Sequence, residues 1–114
     1  MRVLLIDDTR DTNVVMRILL ERLGYEVEAA TDARQGLELA NSFEPHVVCV
    51  DIGLPGMDGY DLARRIREKP HLKSSRVIAI SGYAPDKERA AQSGIDAYLI
   101  KPASLPELVM AMHN

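Results

Sequence analysis

One cysteine, Cys49, stands in the whole chain, and a lone thiol excludes an internal disulfide framework. Its valine neighbours make it a small buried hydrophobe rather than a reactive group. No block of one charge sign occurs, so there is no acidic tail or basic arm. A net charge of −3 with 27% charged residues argues against direct nucleic-acid binding. No apolar stretch reaches membrane-spanning length. The opening run Arg2-Val3-Leu4-Leu5-Ile6 gives way to Asp7-Asp8 too soon for a signal peptide. Membrane insertion is therefore not expected, and a reducing, cytoplasmic setting is. Repeats, linkers and low-complexity segments are missing. Neither GxGxxG nor a GxxxxGK phosphate loop is present, which disfavours nucleotide binding.

What the chain does have suits one domain over residues 1–114, with 46% of them hydrophobic. Five β-type runs recur: Val3–Ile6, Val27–Ala30, Val47–Val50, Val77–Ile80 and Tyr98–Ile100. The first, third and fourth are almost continuously apolar, as strands of a parallel sheet covered on both faces are. Helical periods lie between them. Val14, Val15, Ile18, Leu19 and Leu23 make one stripe, stopped by Gly24. Asp32 and Gln35 resemble a capping box ahead of Ala33, Leu37 and Ala40. Asp58 is placed to cap a helix with Leu62 and Ile66, which must end before Pro70. Pro85 fits the first turn of a fourth helix and Gly94 its end, with only Ala90 and Ala91 small enough to pack closely. Ser104 and Glu107 form a second capping box, opening a helix that turns Leu105, Leu108, Val109 and Met112 inward. Strands alternating with helices imply right-handed crossovers and a doubly wound α/β sheet with helices on both faces.

Polar groups follow four of the five runs: Asp7-Asp8, Asp51, Ser81 and Lys101. Each alone has a structural reading, since aspartates cap helices and serines end strands. Together they point to the carboxyl edge of the sheet, where such folds bind ligands. Three carboxylates in one pocket raise each other's pKa values or demand cations. Lys101 offers one positive charge, and an all-oxygen donor set selects a hard dication, for which magnesium fits. His46, His71 and His113 lie away from these positions, so zinc is not expected. Ser81 has no histidine base, which makes a serine triad improbable. A carboxylate needs no base to attack phosphorus, and Asp51, alone at its strand end, is the natural acceptor. Lys101 and the Ser81 hydroxyl are placed to hold phosphoryl oxygens.

Taken in order, LLIDD, VVCVDIGLPGMDGYDLARRIR, VIAISGY and GIDAYLIKP resemble the receiver domain of two-component response regulators, the CheY-like superfamily. The resemblance covers essentially the whole chain. It implies a flavodoxin-like five-stranded sheet of order 2-1-3-4-5. It implies phosphoryl transfer from a phosphohistidine, on a histidine kinase or a histidine phosphotransfer domain, to Asp51. Asp8 and Asp51 then match direct magnesium ligands, Asp7 a carboxylate acting through water, and the Gly53 carbonyl a third protein ligand. Lys101 matches the phosphate-contacting lysine, Ser81 the switch hydroxyl and Tyr98 the aromatic that changes rotamer. The peptide bond before Pro102 is often cis in this family. The face made by the fourth helix, fifth strand and fifth helix would signal to a downstream effector protein or domain. Gly53 lacks the side chain many relatives carry there, and Ser81 replaces a more frequent threonine. Such a domain is a phosphoacceptor that assists its own phosphorylation and dephosphorylation, not an enzyme acting on other substrates. A receiver-like docking module independent of phosphorylation is the alternative. A phosphatase with an aspartate nucleophile would want a second acid where Ile52 and Gly53 stand, and a flavin carrier would want a phosphate loop after the first strand. The chain stops at Asn114, soon after the last helix opens. A stand-alone regulator, a phosphorelay intermediate and a receiver cut from a hybrid kinase all stay open, as does a homodimer.

Overall fold

The apolar runs become strands with covered faces. The structure, a computed structural model, describes residues 1–113. Its elements are β1 (Arg2–Ile6), α1 (Arg10–Arg22), β2 (Glu26–Ala30), α2 (Ala33–Phe43), β3 (Val47–Asp51), α3 (Gly59–Glu68), a 3₁₀ turn (Pro70–Leu72), β4 (Arg76–Ser81), α4 (Lys87–Gln92), β5 (Ala97–Ile100) and α5 (Leu105–His113). All four strand pairings are parallel, and the order is β2-β1-β3-β4-β5. This is the doubly wound sheet and strand order expected. Strand ends match the sequence reading to within about one residue, and both Asp51 and Ser81 fall inside their strands.

Alternation along each strand divides the core in two. Leu4, Ile6, Val48 and Val50 face α2 and α3, packing on Ala33, Ala40, Leu62 and Ile66. Val3, Leu5, Val47, Cys49 and Ile78 face α1 and α5, packing on Leu20, Leu108 and Met112. Every residue of β3 is buried, so its valines each contribute about 1.5–3 kcal/mol of burial and give the strand little room to shift.

The caps behave as their chemistry dictates. Asp32 accepts the Gln35 N–H at 2.7 Å, while the Gln35 side chain takes the Thr31 N–H at 3.0 Å. Asp58 accepts from Tyr60 at 2.8 Å, and Ser104 and Glu107 cap each other's backbone at 3.2 Å. In α5, Leu108 and Met112 are buried with Ala111, while Leu105 and Val109 are half-buried.

Two expectations are corrected. The apolar stripe on α1 is not its inner face: Val14, Val15, Ile18 and Leu23 are exposed. The helix instead turns in Asn13, Met16 and Leu20, a true i, i+3, i+7 set. Asn13 is tolerated there because its amide donates to the carbonyls of Asp7 (2.9 Å) and Ala30 (3.1 Å). In α4, Pro85 lies before the cap rather than in the first turn, because Asp86 takes the capping role by accepting the Arg89 N–H at 3.1 Å. Ala90 is only half-buried and Ala91 is exposed, so α4 buries nothing.

The chain between β3 and α3 folds tightly on itself. A Cβ at Gly59 would stand 2.4 Å from Ile52 Cα and 2.9 Å from the Asp51 carbonyl, and backbone cannot give way as a side chain can. Gly59→Ala is expected to destabilise the protein by about 3 kcal/mol, read from urea unfolding midpoints. Burial pushes the Cys49 thiol up to about 12. Its neutral form contributes stability that is whole below pH 9.0 and is lost as pH climbs toward about 12, because only the unfolded chain ionises there. Native protein should therefore resist a thiol-reactive dye at pH 8 until denaturant is added. The alkaline loss of stability should flatten in Cys49→Ala.

Candidate phosphoacceptor and metal site

The carboxyl ends of β1, β3, β4 and β5 deliver the expected side chains to one rim. Asp7 follows β1, its backbone N–H bonded to Ala30 at 3.1 Å. One Asp7 oxygen accepts the Thr9 N–H at 2.8 Å, which fixes the carboxylate at the start of α1. Asp51 ends β3, with Oδ1 accepting the Gly53 N–H at 2.9 Å. The other oxygens of Asp7 and Asp51 converge on the Lys101 ammonium, at 3.1 and 3.2 Å. Asp7 and Asp51 are buried, whereas Asp8 is exposed beside them. Ligand atoms of all three carboxylates lie within 4.8 Å of one another.

With every group ionised, the three acids and the lysine carry a net charge of −2. Burial opposes the charged form of Lys101, but hydrogen bonds and Coulomb attraction from Asp7 and Asp51 outweigh it and hold the ammonium above its ordinary pKa. Three close oxygen donors, one open to solvent, fit a hard divalent cation that keeps several waters. Histidines stay out: His46 Nδ1 accepts the Arg2 N–H at 2.9 Å at the other end of the sheet, and His113 meets the Tyr25 hydroxyl at 2.6 Å.

Ser81, fully buried at the end of β4, is tied to its neighbours through the backbone. Its carbonyl accepts the Lys101 N–H at 2.7 Å, and its hydroxyl accepts the Tyr83 N–H at 3.2 Å. The Lys101–Pro102 peptide is cis, as the resemblance implied. Gly53 is exposed, and a side chain there would meet only Asp51 Oδ1 at 3.6 Å, an ordinary contact. Glycine is thus not sterically required; it leaves the approach to Asp51 clear. Tyr98 is half-buried, its hydroxyl donating to the Tyr83 carbonyl at 3.3 Å. Burial raises its phenol pKa, Tyr60 and Asp51 push the same way, and Ser81 opposes them. Behind the rim, a cavity of about 460 Å³ runs between α1 and α5 over Leu5, Cys49 and Ile80.

Three supporting residues escaped the sequence reading. Gly59 lets α3 start directly against Ile52. Its one local signal is the Asp58-Gly59 pair at a helix start. Asn13 secures the backbone of Asp7, and an amide inside an apolar helical run was the available sign. Arg89 pairs with Asp58 at 2.5 Å, which raises its pKa, and nothing near it in the chain foretold that partner.

The family profile described as response regulator receiver domain matches residues 3–113. The chain is 36% identical over 111 residues to an uncharacterized 14.6 kDa protein of Leptolyngbya boryana, covering 96% of this chain and 85% of that one. It is 30% identical over 109 residues to the polar-differentiation response regulator DivK of Brucella anthropi, covering 94% and 89%. A response regulator from Burkholderia pseudomallei, solved with a phosphorylated aspartic acid, a calcium ion and citrate, superposes with a TM-score of 0.91 at 28% identity. That match covers 99% of this chain, which spans 66% of the Burkholderia chain. The chemotaxis protein CheY4 of Vibrio cholerae gives a TM-score of 0.90 at 25% identity, covering 96% and 92%. A rim of acids and one lysine on a 2-1-3-4-5 sheet, matched along nearly its whole length, makes this chain a member of the response regulator receiver domain family of two-component signalling.

Proposed function

We propose that residues 1–114 act as one phosphoacceptor module, with Asp51 taking a phosphoryl group from a phosphohistidine on a histidine kinase or histidine phosphotransfer partner. A carboxylate oxygen of Asp51 forms the new P–O bond while the P–N bond breaks, and the electron pair leaves on the partner's imidazole. Asp7, Asp8 and Asp51, with the Gly53 carbonyl, would hold a magnesium ion. When bound, the ion supplies positive charge against the transferring oxygens. Lys101 sits between Asp7 and Asp51 and is within reach of a phosphoryl oxygen once one is attached, and the Ser81 hydroxyl takes another. The open space at Gly53 admits the water that later hydrolyses the acyl phosphate. The observation that carries this reading is the convergence of Asp7, Asp51 and Lys101 within 3.2 Å contacts, with Asp8 completing the acid cluster.

Phosphorylation adds charge and strong acceptors at the end of β3. Ser81 is drawn toward them, Tyr98 turns further inward from its half-buried position, and the face of α4, β5 and α5 changes for an effector that reads it. The reaction takes place in the cytoplasm, where such donors work.

Asp51→Asn should abolish labelling by acetyl phosphate or by a phosphohistidine donor, seen as loss of the phosphoryl mass increment in the intact protein. Stable labelling of that variant would refute Asp51 as acceptor. Chelating divalent cations should stop labelling of the native chain. Asp8→Asn should weaken magnesium binding at least tenfold, or about 1.4 kcal/mol, in a titration followed by tyrosine fluorescence or calorimetry.

A further inference from the structure

Helix α4 has six residues and buries none of them, so burial does not hold it. Polar contacts from α3 hold it at both ends. At its C-terminal end, Arg67 donates to the Gly94 carbonyl from Nε at 3.2 Å and from Nη2 at 2.7 Å. The same guanidinium binds the Lys73 and Ser75 carbonyls and Asp96, so this end is anchored to the base of β4 and β5. At its N-terminal end, the Asp86 N–H donates to the Tyr60 hydroxyl at 3.0 Å. Arg89 lies over the Tyr60 ring at 4.6 Å from its centroid and pairs with Asp58 at 2.5 Å.

The N-terminal end is the one that adjoins Ser81. The Ser81 hydroxyl accepts from Tyr83, and Tyr83 also accepts from Tyr98. Asp86 comes three residues later, so a pull on Ser81 runs through a short connection to the N–H that Tyr60 holds. We propose that Tyr60, braced by Arg89 and Asp58, is a latch on the start of α4 that opposes the phosphorylated arrangement and yields when that arrangement forms. This rests on the phosphoacceptor reading of Asp51. Tyr60 is a positioning residue: it acts through the backbone of residues 82–86 and through the neighbouring Tyr98 phenol, whose pKa it raises. A hydrogen bond and a stacked, part-exposed ion pair are weak enough to open without unfolding the core around them.

Tyr60→Phe keeps the ring and removes the acceptor for Asp86, while Arg89→Gln removes the stacked cation at the surface. Two measurements read them out: amide hydrogen exchange over residues 86–92, and beryllofluoride affinity in the presence of magnesium. Both variants should exchange faster across α4 and bind beryllofluoride about three- to tenfold more tightly than the native chain. Exchange unchanged from the native chain, or affinity equal to or weaker than native, overturns the latch. A native chain that binds no beryllofluoride with magnesium would instead sink the phosphoacceptor reading and the coupling with it, whereas native binding with unaltered variants defeats the latch alone. High salt should speed α4 exchange more in the native chain than in Arg89→Gln, which keeps the Arg67–Asp96 pair but lacks the pair with Asp58.

Discussion

A single ammonium, that of Lys101, lies between two buried carboxylates, and the rest of the site is built around it. Asp7 and Asp51 stand at the ends of adjacent strands with their inner oxygens 3.1 and 3.2 Å from the same nitrogen. That nitrogen offsets the repulsion between two buried carboxylates held close together, and they in turn favour its charged form. The lysine belongs to the end of β5, and its side chain has to reach over the end of β4 to find them. The backbone arranges this: the Lys101 N–H is bonded to the Ser81 carbonyl at 2.7 Å, which fixes where the side chain sets out. The serine that carries the candidate switch hydroxyl is therefore the residue that seats the lysine.

The same charge count explains why the rim suits a cation rather than a closed salt bridge. One lysine does not balance three acids, and Asp8 faces solvent beside the pair. A fully buried and neutralised cluster would be a structural element with no chemistry left to do. This one keeps an open side and residual negative charge at a place that cannot relax, because every residue of β3 is packed. Rigidity below and openness above are both needed: a mobile Asp51 would fold its carboxylate onto the nearest donor, and a sealed one would meet no phosphoryl group.

Much of this was legible in the sequence because it depends on local rules. Continuous apolar runs marked strands, Asp32, Asp58 and Ser104 marked helix starts, and the polar residue after each of four runs marked the rim. What was not legible depends on partners far along the chain. Val14, Val15 and Ile18 looked like the inner face of α1, yet that face belongs to a helical set headed by Asn13, whose partners are backbone carbonyls at the ends of β1 and β2. Helical period alone cannot choose between two apolar faces when the buried one begins with an amide. The need for glycine at position 59 comes from Ile52, which takes the space a side chain would fill. Arg67 and Arg89 have partners 27 and 31 residues away.

Those two arginines also account for the one element the sequence marked most faintly. A helix of six residues without a buried side chain has too few turns to stand on propensity and no apolar face to stand on packing. In this fold it is hung between α3 and the sheet by the guanidinium groups of Arg67 and Arg89, with Tyr60 beneath Arg89. Such contacts are directional and can be broken singly, unlike the burial that holds β3. The packing thus differs most between β3, the strand that carries Asp51, and α4. The proposed switch needs that difference: the proposed phosphoacceptor must not move, and something connected to it by a short chain must. The connection from Ser81 to Asp86 is short, and α4 is the part of the fold whose displacement costs no core contact.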